Sequence, residues 1–203
     1  MAIRTPSAFS VRSACAQIRA WQQEGLTPVP VAVNISAKQF HQQDIAGVVM
    51  RALRDHDIDP GLIDLEITES TAMRNAEATS STLHALKALG VRIAIDDFGT
   101  GYSSLSYLKR FPIDSLKIDR SFVTGLPGDR DDGSIARAVI TMAHALRLNV
   151  VAEGVENAAQ LAFLAAHGCD EMQGFYFSRP LPAEQFTALM ARGEALPQIA
   201  VAA

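Results

Sequence analysis

Two adjacent carboxylates, Asp96 and Asp97, follow the apolar run Ile93–Ile95 and lead directly into Phe98-Gly99-Thr100-Gly101. Two like charges about 4 Å apart repel by roughly 4 kcal/mol at an effective dielectric of about 20. A fold that places such a pair at the end of a buried strand usually supplies a cation, or lets the two carboxyl groups share a proton. The glycines that follow permit a tight turn. The pair therefore indicates a candidate metal site.

Polar side chains also end other strand-like runs of the chain, namely at Asn34, Glu66, Lys117 and Glu153. Amide and carboxylate oxygens are ligands that Mg²⁺ and Mn²⁺ prefer. A lysine among carboxylates balances their charge, orients a water or neutralises charge that develops on a phosphate. The alternative is structural. Glu66 then only ends a strand before a helix that Thr68 or Ser70 caps, and Glu156 or Asn157 only caps the helix that follows it.

Strand-like and helical patterns alternate along the chain. Six runs are strand-like: Val29–Ile35, Ile63–Thr68, Arg92–Asp96, Ser115–Asp119, Asn149–Glu153 and Glu171–Gly174. Hydrophobic spacing predicts helices between them, an earlier helix over 11–24 and a last helix over 183–192. Repeated strand-helix units predict an α/β fold with a parallel sheet.

Large aliphatic side chains occupy one set of alternate strand positions, and small or polar side chains occupy the other, as in Ile93-Ala94-Ile95-Asp96. A sheet covered by helices on both faces should be apolar at both sets. A narrow barrel with a polar mouth fits better, and such barrels carry their active sites at the carboxyl ends of the strands. A closed barrel needs eight strand-helix units. The predicted fold is therefore a TIM-type (β/α) barrel that is incomplete at the N-terminus.

The composition is that of a soluble globular protein, with 48% hydrophobic and 20% charged residues in a chain of 203. A net charge of −4 gives no basic surface for a nucleic-acid polymer. We expect neither a signal peptide nor a membrane segment, since no apolar run approaches the roughly 20 residues that span a bilayer. Cys15 and Cys169 are predicted to be buried free thiols. We expect a cytoplasmic protein, or the cytoplasmic part of a larger signalling protein.

Six segments resemble, in order and in spacing, the EAL domains, which are bacterial cyclic-di-GMP phosphodiesterases. These segments are Val33–Ser36, Leu65–Glu69, Ile95–Tyr102, Leu116–Asp119, Val151–Glu156 and Gln173–Phe175. The resemblance runs from about Val11 to Leu181 and implies a modified TIM barrel that often forms a homodimer. We expect the barrel domain to span 11–194, after an atypical N-terminal segment over 1–10 and before a C-terminal tail over 195–203.

The resemblance implies a role for each matching residue. The implied ligands of one or two Mg²⁺ or Mn²⁺ ions are Asn34, Glu66, Asp96, Asp97 and Glu153. Lys117 resembles the lysine that positions the attacking water, and it forms the implied catalytic pair with Glu153. Implied supporting or substrate-contacting residues are Glu69, which steadies the loop containing Phe98, Gly99 and Gly101, and Asp119, Glu156 and Gln173. The implied reaction is hydrolysis of one phosphodiester bond of cyclic-di-GMP to linear pGpG.

The family takes its name from a Glu-Ala-Leu motif on the first barrel strand, where the glutamate is a metal ligand. No counterpart precedes Val11, and we interpret Glu194-Ala195-Leu196 in the tail as a coincidence. We therefore expect weak or no turnover from residues 1–203 alone, and we expect exposed sheet edges to promote dimers. Two other readings are a non-catalytic EAL-like module that binds cyclic-di-GMP or a protein partner, and an unrelated metal-dependent barrel enzyme, which six ordered motifs make improbable.

Overall fold

The computed structural model describes residues 8–101 and 105–192 and confirms the predicted α/β fold. Its strands are β1 (Val31–Asn34), β2 (Ile63–Thr68), β3 (Arg92–Phe98), β4 (Ser115–Ile118), β5 (Asn149–Ala152) and β6 (Glu171–Met172). The strand order in the sheet is the chain order. All six predicted strands are present, with ends that shift by at most two residues.

Helices follow or separate the strands as the strand-helix repeat requires. They are α1 (Ala8–Gln23), α2 (Ala37–Gln42), α3 (Ile45–His56), α4 (Glu69–Met73), α5 (Ala76–Ala88), α6 (Leu105–Leu108), α7 (Ser121–Thr124), α8 (Arg130–Ala145), α9 (Ala158–Ala166) and α10 (Ala183–Ala191). Residues 1–7 of the predicted N-terminal segment, residues 102–104 and the predicted tail with Glu194-Ala195-Leu196 lie outside the described residues.

The first of two compact units comprises residues 1–95 and 101–114. In it, β1 pairs in parallel with β2, so that Val33 lies opposite Leu65 and Asn34 lies opposite Glu66. The aliphatic residues of both strands are buried, and β-branched side chains suit such pleated surfaces. Helix α1 buries Trp21 and packs against α3.

The second unit comprises residues 96–100 and 115–203. Strands β4, β5 and β6 pair in parallel, with Lys117 opposite Val151 and Ala152 opposite Met172. Asp129 caps the start of helix α8, and its side chain accepts hydrogen bonds from two backbone N–H groups of the first turn. The buried face of α8, which includes Ile140, packs against β4 and β5.

A carboxylate before the start of a strand stabilises each unit. In the first unit, Asp114 accepts the Ile93 N–H at 2.8 Å and pairs with Lys87 at 2.6 Å. In the second unit, Asp170 accepts the Val150 N–H at 2.8 Å. Groups at the amino ends of barrel strands commonly serve stability, whereas the carboxyl ends carry the chemistry.

Cys15 and Cys169 are both free and buried, as predicted. Burial raises the pKa of the Cys15 thiol to about 11 and that of the Cys169 thiol to about 12. Within the described part of the chain, no helix has the length and apolar character needed to cross a bilayer.

Candidate metal centre

Asp96 and Asp97 lie in the part of β3 that belongs to the second unit. Asp96 is 8% exposed. Asp97 has a φ of 54°, a left-handed conformation that aspartate tolerates better than most residues. The Asp97 N–H donates to Asp96 Oδ1 at 3.0 Å, and Thr100 Oγ1 donates to the Asp97 carbonyl oxygen at 2.8 Å. These local hydrogen bonds fix the turn on which the second carboxylate sits.

Carboxylate oxygens of Asp96, Asp97 and Glu153 lie within 4.8 Å of one another. Among the described residues, no other group of three or more histidine, cysteine, aspartate or glutamate side chains meets this spacing. Hard divalent cations bind such oxygen sets at about 2.0–2.6 Å from each ligand. The predicted Asp pair therefore acquires a third carboxylate, which comes from the segment after β5.

Lys117 is 3% exposed, and its Nζ lies 3.2 Å from Asp96 Oδ1 and 2.5 Å from Glu153 Oε1. Gln173 Nε2 donates to the same Glu153 oxygen at 2.5 Å. The three carboxylates and the Lys117 ammonium, which contacts two of them, carry a formal net charge of −2 that one divalent ion would balance. The donor set thus fits Mg²⁺ or Mn²⁺ in both chemistry and charge.

The hydrogen bonds of the sheet continue one residue beyond β5 and β6. The Glu153 N–H donates to the Ile118 carbonyl at 3.1 Å, and the Gln173 N–H donates to the Ala152 carbonyl at 2.9 Å. Carboxyl ends of adjacent parallel strands meet at one edge of a sheet, so the side chains of Glu153 and Gln173 reach each other there.

The pKa values of Asp97 and Asp119 shift in opposite directions. Burial raises the pKa of Asp97, and the charges of Asp96 and Asp119 add to the shift, which Lys117 partly offsets. Burial would also raise the pKa of Asp119, but hydrogen bonds from Ser121 outweigh that effect and lower it. The Ser121 N–H and Oγ both donate to Asp119 Oδ1, at 2.9 and 2.5 Å.

Three further predicted site residues belong to the first unit. Asn34 and Glu66 are partners in the β1–β2 register, and Glu66 is 5% exposed. Glu69 begins α4 and is 2% exposed. A Cβ on Gly101 would lie 2.9 Å from Glu69 Oε1, so this loop residue approaches the buried carboxylate closely. The roles of these residues in the chemistry stay predictions.

The structural alternatives for Glu66 and Glu156 concern helix caps. Thr68 caps α4, and Asn157 caps α9 in a capping box with Gln160. Glu156 itself is exposed, and its backbone N–H donates to Gln160 Oε1 at 2.7 Å. The caps at Thr68 and Asn157 agree with the structural alternatives, and site roles of Glu66 and Glu156 stay predictions.

The predicted site includes Asp119 after β4 but not its neighbours Ser121 and Phe122. Ser121 and Phe122 of α7 carried no recognisable signal, since a serine at a turn and a single phenylalanine are common in any globular chain. Among the loop residues, Phe98 is buried and Gly99 has a φ of 98°, which favours glycine. Gly101 has no such φ, and its close approach to Glu69 is the constraint there instead.

The family model of the EAL domain matches residues 3–180. The bifunctional diguanylate cyclase/cyclic di-GMP phosphodiesterase MucR of Pseudomonas aeruginosa is 49% identical over 178 residues, which are 88% of this chain and 26% of MucR. The chain spans about a quarter of the length of the curated relatives it matches.

Solved structures show the same fold. The MucR phosphodiesterase in complex with cyclic-di-GMP matches with a TM-score of 0.84 and 48% identity, covering 88% of this chain and 72% of that one. The EAL domain of Mycobacterium smegmatis DcpA matches with a TM-score of 0.85 and 41% identity, covering 91% and 83%. Klebsiella pneumoniae BlrP1 in a complex with manganese and cyclic-di-GMP matches with a TM-score of 0.74 and 32% identity, covering 85% and 44%.

Proposed function

Because the chain belongs to the EAL domain family, we propose that it binds cyclic-di-GMP and hydrolyses one phosphodiester bond to give linear pGpG, with Mg²⁺ or Mn²⁺ as cofactor. The observation that carries this function is the group of three carboxylates, two of which contact the buried Lys117. The cyclic-di-GMP complexes of the relatives MucR and BlrP1 support the choice of substrate.

Asp96, Asp97 and Glu153 would hold the cation. Asn34 and Glu66 stay further predicted ligands. When bound, a divalent ion stabilises the negative charge that develops on the phosphoryl oxygens. Lys117 contacts the Asp96 and Glu153 carboxylates, and the backbone of the Asp97 turn donates to Asp96, so these contacts orient two of the three carboxylates.

Lys117 and Glu153 act on the attacking water. The ammonium of Lys117 fixes the Asp96 and Glu153 carboxylates and presents a donor that can orient the water oxygen toward phosphorus. Glu153 accepts the proton of that water, while Gln173 holds its Oε1 in place. A bond forms from the water oxygen to phosphorus, and the bond from phosphorus to the 3′-oxygen breaks. The proton that Glu153 accepted passes through solvent to the 3′-oxygen, which leaves as a hydroxyl. The product keeps its 5′-phosphate, as pGpG requires.

We infer a homodimer as the working state and the cytoplasm as its location. Among the described residues, β1 has a single strand neighbour, and open strand edges pair readily with another chain. The two buried thiols stay free in a reducing compartment. Light scattering during gel filtration tests the dimer, and a monomer at every concentration would refute it.

The function is tested first by binding and then by product. The Glu-Ala-Leu glutamate has no counterpart on the described strands, so we expect weak turnover from residues 1–203 alone. We expect cyclic-di-GMP to bind in the presence of Ca²⁺, and slow pGpG formation with Mn²⁺ that Glu153→Gln lowers at least tenfold. Glu184→Gln, an exposed carboxylate on α10, is the control and should change neither value. Binding without any pGpG would favour the non-catalytic module, and the absence of both would refute the function.

A further inference from the structure

The turn Asp119–Phe122, which follows β4 and includes the first two residues of α7, lies against the turn that follows the Asp pair. A Cβ on Gly99 would lie 2.9 Å from Cε2 of Phe122 and 3.5 Å from its Cζ. Real Cβ atoms essentially never come closer than 3.0 Å to another heavy atom, so the edge of the ring fills the space that a side chain at position 99 would need. Gly99 lies two residues beyond Asp97, and the ring thus supports the backbone that carries this carboxylate.

The same turn also touches the second carboxylate-bearing segment. A Cβ on Gly154 would lie 2.7 Å from the Cβ of Arg120, and the φ of Gly154 is 72°. Gly154 directly follows Glu153. The Asp119–Phe122 turn is therefore in close contact with the residues after Asp97 on one side and with the residue after Glu153 on the other.

The turn is itself firmly held. The Phe122 N–H donates to the Asp119 carbonyl at 3.1 Å, and the Thr124 N–H donates to the Arg120 carbonyl at 2.9 Å. Val123, between these residues, is fully buried. A well-held element in close contact with two turns limits the positions that both turns can take.

We propose that Phe122 is a positioning residue of the metal centre. Its ring packs against Gly99 and so keeps the Asp97 carboxylate within reach of Asp96 and Glu153. The inference rests on the proposed function only in that these carboxylates bind the cation. The inference goes beyond the proposed function by assigning a role to an apolar side chain that carries no ligand atom. Residues that orient metal ligands commonly change metal affinity by about 10- to 100-fold when they are replaced.

The test compares Phe122→Ala, Phe122→Leu and the matched control Phe163→Ala. Phe163 on α9 is likewise half-buried and likewise packs against a glycine, with its Cζ 3.2 Å from a Cβ on Gly133. The first measurement is amide hydrogen exchange of a peptide that contains residues 97–101, in protein without metal. The second is calorimetric titration with Mn²⁺.

We expect Phe122→Ala to speed exchange in this peptide by about tenfold or more and to weaken Mn²⁺ binding by about 10- to 100-fold. Phe122→Leu should keep the exchange rate and the Mn²⁺ affinity close to those of the unchanged chain, since its branched side chain still contacts Gly99. Phe163→Ala should change neither quantity. If Phe122→Ala does not fold, Phe122→Val, which removes the ring but keeps part of the side chain, should show the same two effects at smaller size.

Exchange at residues 97–101 that is no faster in Phe122→Ala than in Phe163→Ala would overturn this role for Phe122. Mn²⁺ binding by the unchanged chain would then leave the proposed function standing. Conversely, if the unchanged chain binds no Mn²⁺, the proposed function fails, whereas hydrogen exchange still decides whether Phe122 holds the turn.

Discussion

Replacement of Lys117 by methionine is expected to destabilise the metal-free protein and to increase its stabilisation by Mn²⁺. The Lys117 ammonium is 3% exposed and contacts Asp96 at 3.2 Å and Glu153 at 2.5 Å, with those two side chains only 11% and 19% exposed. At an effective dielectric of about 20, one such contact at 3.2 Å is worth roughly 5 kcal/mol before desolvation is counted. Methionine fills a similar volume, but it leaves both carboxylates without this cation.

The net loss follows from the rule for half-removed buried ion pairs, which is about 3–5 kcal/mol. In a chain of this size each kcal/mol lowers the Tm by about 2–4 °C, so the Tm in EDTA should fall by roughly 6–20 °C. Mn²⁺ can take over the lost charge compensation. The Tm increase on adding Mn²⁺ should therefore be larger in Lys117→Met than in the unchanged chain.

Lys87→Met is the matched control, because Lys87 pairs with Asp114 at 2.6 Å but both side chains are about one third exposed. Pairs of that kind contribute about 0–1 kcal/mol, so its Tm should fall by at most about 4 °C. The assay is thermal unfolding followed by circular dichroism, with EDTA and with Mn²⁺. A Tm loss in Lys117→Met no larger than in the control, or a smaller response to Mn²⁺ than in the unchanged chain, would refute the reasoning.

Gly174→Ala should lower the free energy of unfolding in urea by about 1–3 kcal/mol or more, because its Cβ would meet the Val155 backbone; a loss below about 0.5 kcal/mol would contradict this close approach. The thiols of Cys15 and Cys169 should resist iodoacetamide at pH 8 until the protein is unfolded, since burial raises both pKa values; intact mass reports this, and labelling of the folded protein would count against it. Ser121→Ala should raise the pKa of Asp119, measured by carboxyl-carbon NMR, because the variant loses the hydroxyl donor; an unchanged pKa would show that Ser121 does not control Asp119.

The strands were predictable because their composition and alternation are strong local signals. β2 begins and ends at the predicted residues, and the others shift at their ends. At β3 the strand continues through Asp97 to Phe98, although Asp97 takes a left-handed φ that no residue pattern reveals. Helices α6 and α7 have four residues each, about one turn, which is too short for a helical periodicity to be detected.

The candidate site was predictable where residue type alone carries the chemistry. Asp96, Asp97, Lys117 and Glu153 are charged groups at strand ends, and the structure groups them within the second unit. Phe122 was not predictable, because an apolar ring has the same appearance in a sequence whether it fills a core or supports a ligand-bearing turn. Contacts such as that of the ring with Gly99 depend on packing between segments that are distant in the chain.

Calorimetric titration of Mn²⁺ into the unchanged chain and into Asp96→Asn tests the central claim most directly. Asparagine keeps the size of the buried Asp96 side chain but removes one of the three carboxylates from the group. We predict saturable binding by the unchanged chain and by the exposed-carboxylate control Glu184→Gln, and binding weakened at least tenfold in Asp96→Asn. Equal Mn²⁺ affinity in all three proteins, or no binding by the unchanged chain, would contradict a metal centre at Asp96, Asp97 and Glu153.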